Sequence, residues 1–229
     1  SVELGQEDAR VAVGFGGSVG RGRQKKDGML RVYQVVDREV DGNKRFDKIV
    51  EQPLCELKDA KEWISVVRFS PDSNTLAVGA HDCKVYLYAV ERTPLPEGGP
   101  NGETVSVSLR KRSIFKKHNS YITHLDYSFC GQYLQSNCGA YELLFCDVSS
   151  GSQITSATSL RDTQWATWTC TLGWPVQGIW PKEADGTDVN SVCRSRGGST
   201  IATADDFGQV TLFRYPCVKK GANFQNMSG

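Results

Sequence analysis

The sequence predicts an all-β protein: a partial propeller of about three full four-stranded blades plus a partial one. Three observations lead there. One strand–turn–strand signature occurs four times along 229 residues. No stretch of length carries the 3.6-residue apolar period of a helix. The strand candidates are apolar on both faces, so a sheet built from them must stack on copies of itself, and radial stacking gives a propeller. A sandwich is the rival, but it offers no reason for a recurring small-apolar, turn, apolar-aromatic signature.

The elements follow in order. In the first unit Val11-Ala12-Val13-Gly14 precedes a long loop and then Met29-Leu30-Arg31-Val32-Tyr33. The second pairs Leu76-Ala77-Val78-Gly79-Ala80-His81-Asp82 with Lys84-Val85-Tyr86-Leu87-Tyr88. The third has Tyr133-Leu134-Gln135-Ser136-Asn137, then Glu142-Leu143-Leu144-Phe145-Cys146-Asp147. The fourth has Ile201-Ala202-Thr203-Ala204-Asp205-Asp206, then Gln209-Val210-Thr211-Leu212-Phe213. Further alternating strands precede two of these, at 63–69 before the Ser70-Pro71-Asp72 turn and at 121–128.

The terminal aromatics Tyr33, Tyr88, Phe145 and Phe213 stand 55, 57 and 68 residues apart. A WD-type blade takes about 40–45 residues, so each unit carries extra loop. Residues 91–112, rich in Pro and Gly, and 149–190 supply it. The chain then divides into a partial blade at 1–44, blades at 45–92, 105–148 and 160–216, and a tail at 217–229. It opens in mid-blade without an initiator Met, so it is expected to be a piece of a longer protein, or to complete its ring with another copy.

The totals narrow the class. Hydrophobic residues are 39%, charged residues 23% and the net charge is +1, the composition of a soluble globular protein with no overall pull toward nucleic acid or anionic membrane. No run approaches the ~18 apolar residues that span a bilayer, and the N-terminal residues lack the pattern of a signal peptide. Eight cysteines include no C-x-x-C pair and several lie in apolar runs, as buried reduced thiols of a cytoplasmic protein would. His81, His118 and His124 make no ligand set by spacing. No cofactor or metal is expected.

The stretch Arg161-Asp162-Thr163-Gln164-Trp165-Ala166-Thr167-Trp168-Thr169-Cys170 runs on through Gly178-Ile179-Trp180-Pro181 to Asp205-Asp206-Phe207-Gly208 and Phe213-Arg214-Tyr215-Pro216-Cys217. This closely resembles the second propeller of the echinoderm microtubule-associated protein-like family. Residues 118–126 and 76–82 are similar to the same family's preceding blades, so the likeness covers about 57–217. The resemblance implies a non-enzymatic interaction surface in cytoskeletal proteins with tandem propellers that bind tubulin or microtubules. It further implies that oligomerisation and much of the microtubule affinity belong to a separate N-terminal region. The alternative is a general WD-repeat scaffold for another protein assembly with no tubulin role. Two departures from the family pattern stand out. Ala140 replaces an acidic residue, and Tyr33, Tyr88, Phe145 and Phe213 replace the strand-ending Trp. The His–Ser–Trp–Asp tetrad of such blades is therefore expected to be broken in every unit.

Four cations without an intervening acid, Arg21, Arg23, Lys25 and Lys26, are the candidate partner-binding residues. Such a cluster would meet an acidic partner such as tubulin through salt-sensitive attraction; as a solvated loop tip it would do nothing. Arg110-Lys111-Arg112 and Lys116-Lys117 form a second basic zone, read as a solvated strand end. No aromatic-basic platform for nucleic acid accompanies either zone. Gly16-Gly17-Ser18-Val19-Gly20 satisfies G-x-S-x-G, but the residues that follow cannot open the helix a nucleophile elbow needs. Asp185, Asp188, Asp205 and Asp206 are read as turn residues. Trp165, Trp168, Trp174 and Trp180 are read as packing between blades. No catalytic residues are expected.

Overall fold

A computed structural model describes residues 2–4, 10–16, 28–40, 43–95, 105–180 and 189–227. Among the described residues, seventeen strands form four antiparallel sheets in sequence order. The first contains β1 (Val2–Leu4), β2 (Arg10–Gly14), β3 (Leu30–Val40) and β4 (Asn43–Ile49), with β5 (Cys55–Leu57) also paired to β3. The second is β6 (Ile64–Phe69), β7 (Thr75–Ala80), β8 (Val85–Pro94) and β9 (Val105–Phe115). The third is β10 (Ile122–Tyr127), β11 (Tyr133–Cys138), β12 (Leu143–Asp147) and β13 (Gln153–Ile154). The fourth is β14 (Val189–Arg194), β15 (Thr200–Asp205), β16 (Val210–Arg214) and β17 (Phe224–Met227). The four recurring signatures are the two middle strands of the four sheets.

Two local devices repeat. The turn after β6, β10 and β14 opens on a serine whose Oγ accepts a backbone N–H five residues on. Ser70 accepts from Thr75 at 2.9 Å, Ser128 from Tyr133 at 2.9 Å and Ser195 from Thr200 at 3.2 Å. Position four of each turn is left-handed: Ser73 at φ 54°, Gly131 at 72° and Gly198 at 69°. The first strand of each of these sheets also carries a β-bulge, between Ile64 and Val66, Ile122 and His124, and Val189 and Ser191. The bulge turns the extra residue out of the ladder. At Ser65 this lets Oγ donate to Ile122 O of the next sheet at 2.5 Å.

The sheets stack through these first strands: β6 lies against β1 and β2, and β10 against β6 and β7. Ala12, Val32, Leu76, Val78 and Tyr88 fill the space between sheets one and two. Val66, Leu87, Phe115, Leu125 and Tyr127 fill the space between two and three. Gly79 lies where a Cβ would come within 2.5 Å of Ile122 Cγ2, so the backbone approach needs glycine there. Sheets three and four are joined differently. The segment 157–180, with short 3-10 turns at Ala157–Leu160 and Trp174–Ile179, inserts between them, placing Trp165, Trp168, Val176 and Ile179 in a core with Val192, Ile201 and Phe213.

The sheet divisions differ from the spacing-based units. β9 pairs along β8 from Val85↔Phe115 to Pro94↔Val105, so residues 105–112 close the second sheet instead of opening the third. Residues 45–57 belong to the first sheet, residues 160–180 hold no strand, and β17 makes part of the expected tail the fourth strand of the last sheet. The reason is common to all: the signature marks middle strands, and counting from it leaves outer strands unassigned.

Candidate protein-interaction surface

Strand registers place several loops on one rim. Ile64 pairs with Ala80, Val85 with Phe115, Ile122 with Cys138 and Gly14 with Leu30, so the chain beyond each of these ends emerges on the same side. Backbone bonds lace the rim together: Ile64 N–H donates to Phe15 O at 3.2 Å, His81 to Trp63 O at 2.8 Å and Gly139 to Tyr121 O at 2.9 Å. On it lies a ladder of three rings. Trp63 and His81 have centroids 4.9 Å apart, and His81 stacks on Tyr121 at 4.7 Å with an interplanar angle of 14°. Trp63 is 45% and Tyr121 44% exposed, so the ladder presents apolar ring surface to solvent. Glycines make room: a Cβ on Gly16 would sit 2.4 Å from Trp63 Cβ, and one on Gly139 would sit 2.5 Å from Tyr121 Cε1.

Arg21, Arg23, Lys25 and Lys26 lie outside the described residues, as do Gly17 to Gly20, Asp185 and Asp188. The flanks of the basic insertion are described. Phe15 and Gly28 meet at its base, with Gly28 N–H donating to Phe15 O at 3.3 Å and Phe15 N–H to Met29 O at 2.9 Å. The insertion therefore leaves and returns at the end of the ring ladder, beside Trp63. Lys116 and Lys117 are exposed on the same rim. Arg110-Lys111-Arg112 instead lies within β9 and is no strand end. Arg110 Nε donates to Glu91 Oε1 and Lys111 Nζ to Asp59 Oδ1 at 2.6 Å, so part of that charge is met within the chain.

The tetrad, expected to be broken in every unit, is partly retained in the third sheet. His118 Nε2 lies 2.7 Å from Ser136 Oγ, and Glu142 Oε2 lies 3.5 Å from His118 Nδ1, so Glu142 takes the acidic place that Ala140 leaves empty. Only the indole is missing. Hydrogen bonds from the Asn119 N–H, the Cys138 thiol and the Asn119 side chain hold the Glu142 carboxyl down at about 2. Burial keeps the His118 imidazole below its ordinary value, against the opposing pull of Glu142. Cys138 Sγ approaches Glu142 Oε2 at 3.1 Å. Chain spacing concealed this cluster, because the hairpin register Ile122↔Cys138 is what brings the three side chains together.

The tryptophan segment is pinned by one carboxylate. Asp126 on β10 is wholly buried and accepts from Thr169 N–H at 2.8 Å, Cys170 N–H at 3.0 Å and Thr167 Oγ1 at 2.5 Å. Thr169 Oγ1 at 3.1 Å and Gln135 Nε2 at 3.2 Å also donate to it. Burial alone would push its carboxyl up; these bonds, with the nearby Arg68 charge, outweigh burial and hold it below the usual carboxylate range. The four tryptophans then divide. Trp165 and Trp168 are buried and Trp180 is half-buried, as packing between sheets requires, whereas Trp174 is 58% exposed. Trp174 and exposed Phe129 border a groove of about 880 Å³, floored by Phe145, Trp165 and Tyr215. Asp205 does turn work, its Oδ1 accepting from Phe207 N–H at 3.0 Å and Gln209 N–H at 2.8 Å.

Meandering antiparallel sheets, the first three stacked through their first strands, with a His–Ser–acid network retained in the third, define part of a β-propeller of the WD-repeat type. A family profile described as "Echinoderm microtubule-associated protein second beta-propeller" matches residues 1–229. The chain belongs to the echinoderm microtubule-associated protein-like family. Human echinoderm microtubule-associated protein-like 1 is 46% identical over 175 residues, covering 75% of this chain and 20% of that protein. Mouse echinoderm microtubule-associated protein-like 3 is 41% identical over 188 residues, 80% of this chain and 19% of that protein. The 77 kDa echinoderm microtubule-associated protein of Strongylocentrotus purpuratus is 44% identical over 174 residues, 75% of this chain and 23% of that protein. The chain thus spans about a fifth of these relatives' length. Among solved structures, the β-propeller domain of Myceliophteria thermophila Cps50 (Swd1) is similar at TM-score 0.48 and 13% identity, covering 92% of this chain and 49% of that one.

Proposed function

We propose that this chain is a non-enzymatic interaction module of a microtubule-associated protein, and that it binds tubulin through the rim carrying Trp63, His81 and Tyr121. The observation that carries the reading is the meeting of an exposed ring ladder with the base of the insertion holding Arg21, Arg23, Lys25 and Lys26. Tubulin's surface and tails are strongly acidic. Cations there would steer and hold an acidic partner while the rings supply apolar contact, the usual division of labour at interfaces. The relatives' names support the microtubule setting, and the cytoplasm and cytoskeleton are the corresponding location. Other proteins are the expected further partners; nucleic acid and membrane are not. No helix among the described residues is long and apolar enough to cross a membrane.

Size-exclusion chromatography with αβ-tubulin at low and moderate salt tests this. The expected result is a salt-sensitive complex, weakened when Arg21, Arg23, Lys25 and Lys26 are all changed to Glu, and weakened independently by Trp63→Ala. A complex indifferent to both variants moves the site off this rim. No complex with this chain or with a longer chain carrying both propellers leaves the general-scaffold reading.

A further inference from the structure

We propose that His118, Cys138 and Glu142 form a site for one divalent metal ion, with zinc as the ion that suits them. The donors come from three places that one hairpin unites: the loop before β10, the last residue of β11 and the turn into β12. His118 Nδ1, Cys138 Sγ and a Glu142 carboxylate oxygen all lie within 4.8 Å of one another. The Sγ–Oε2 distance is 3.1 Å and the Nδ1–Oε2 distance 3.5 Å. A tetrahedral zinc ion, bound at about 2.3 Å to sulfur and about 2.0–2.2 Å to nitrogen and oxygen, needs ligand–ligand edges of roughly 3.4–3.6 Å. The donors therefore need to move by only about an ångström. Among the described residues no other group of three His, Cys, Asp or Glu side chains converges in this way.

The imidazole is the independent sign of a ligand. Its side chain is fully buried, and Nδ1 has no hydrogen-bond partner. Ser136 Oγ stands 2.7 Å from Nε2 and 3.4 Å from Leu144 O. In the tautomer with the proton on Nε2, Ser136 accepts from Nε2–H and donates to that carbonyl, and the Nδ1 lone pair faces the Glu142 carboxylate. Acceptor then faces acceptor, an arrangement that a cation resolves. A partner on the far ring nitrogen also orients metal-binding imidazoles generally. Glu142 is fixed by Asn119 N–H at 3.0 Å and Asn119 Nδ2 at 2.5 Å. Its side chain is 27% exposed, so the ion can enter and a water can take the fourth position. Thiolate and carboxylate together balance the ion's charge, and binding releases the thiol proton of Cys138 to solvent.

Cobalt(II) serves as a coloured stand-in for zinc. Titrating metal-free chain with Co²⁺ is expected to give one equivalent of tetrahedral visible bands with a sulfur-to-cobalt charge-transfer band, both bleached by Zn²⁺. Cys138→Ser removes the charge-transfer band; Cys130→Ser and Cys193→Ser, at exposed cysteines, leave it. Ser136→Ala weakens cobalt affinity roughly 10–100-fold, the usual effect of losing a group that orients a ligand. Zinc raises the melting temperature of the wild-type chain and not of Glu142→Gln, a readout that stands even where Cys138→Ser fails to fold. Absence of the charge-transfer band in wild type, its survival in Cys138→Ser, or equal zinc stabilisation of wild type and Glu142→Gln overturns the proposal. The trio is then a hydrogen-bonded network and nothing more.

Discussion

Replacing Asp126 by Asn removes one negative charge at nearly constant volume from the point where the tryptophan segment is held. Five donors converge on that carboxylate, two backbone N–H groups and the side chains of Gln135, Thr167 and Thr169. An amide offers one oxygen as acceptor and turns an NH₂ toward the rest, so about two donors are left buried without partners. At about 1–3 kcal/mol for each, the expected loss is about 2–6 kcal/mol. Asp126→Ala, which removes both acceptor oxygens as well as the charge, is expected to cost at least as much. Urea denaturation followed by tryptophan fluorescence measures both. With a slope of about 2–3 kcal/mol per molar, the Asn variant's midpoint falls by roughly 0.7 M or more. Asp162→Asn, an exposed acid in the same segment, is the control and stays within about 0.5 kcal/mol. A midpoint shift below about 0.3 M for Asp126→Asn refutes the claim that this carboxylate pins the segment. The pH dependence has a definite sign. The folded carboxyl titrates below its unfolded value of about 3.9. Its contribution is therefore complete above that pH and is lost as pH falls through the lower folded value.

Three further outcomes follow from the same geometry. Trp168→Ala, at a ring 3% exposed whose Nε1 donates to Cys170 O at 2.9 Å, lowers stability by about 3–5 kcal/mol in thermal melts, whereas Trp174→Ala changes it by less than about 1 kcal/mol. Gly79→Ala drives a methyl into Ile122 and Val66, separating the second and third sheets and costing about 1–3 kcal/mol by urea denaturation; a neutral result contradicts the close stacking. His124, with a buried and unpartnered Nδ1, is held below its ordinary value by burial first and by Arg68, with Asp126 pulling the other way. Its contribution is present above about pH 6.5 and lost as the pH falls below it, so His124→Gln flattens part of the stability slope between about pH 7 and 5.

The propeller was legible from middle strands such as β7, β8 and β11, whose residues are buried on both faces; β7 is buried at all six positions, whereas β16 buries only alternate residues. The outer strands were not. β9 carries Arg110-Lys111-Arg112 and exposes five of its eleven residues, and all four residues of β17 are exposed, so neither has the apolar run that marks a strand. Their pairing comes from the neighbouring strand's free edge, which no local pattern records. The Ser70-Pro71-Asp72 turn could be read directly, and its echoes at Ser128 and Ser195 could have been found by aligning the units on that serine. The bulges could not, since each is a single residue in a strand of ordinary composition. The His118–Cys138–Glu142 cluster needed the hairpin register to bring it together. The segregation of exposed Trp174 from buried Trp165 and Trp168 needed the path of a segment without regular structure.

The serine at the bulge of β6 reaches forward to Ile122 O, Arg68 Nε reaches Leu125 O at 3.2 Å, and Thr75 Oγ1 reaches Tyr127 OH at 3.2 Å. From the third sheet, Asp126 reaches on to Thr167, Thr169 and Cys170, and Arg194 of the fourth returns to Trp165 O at 2.5 Å. Most of these polar ties run from neighbour to neighbour, with Arg68 Nη2 of the second sheet also reaching Thr169 Oγ1 of the inserted segment at 3.5 Å, which makes the array behave as a short chain of coupled units in folding as well as in shape. The third sheet is bonded on both sides. Damage there uncouples two junctions at once, while damage in the fourth loosens one. Hydrogen exchange is therefore expected to find the slowest amides in β10 and β11, with protection falling away toward β17.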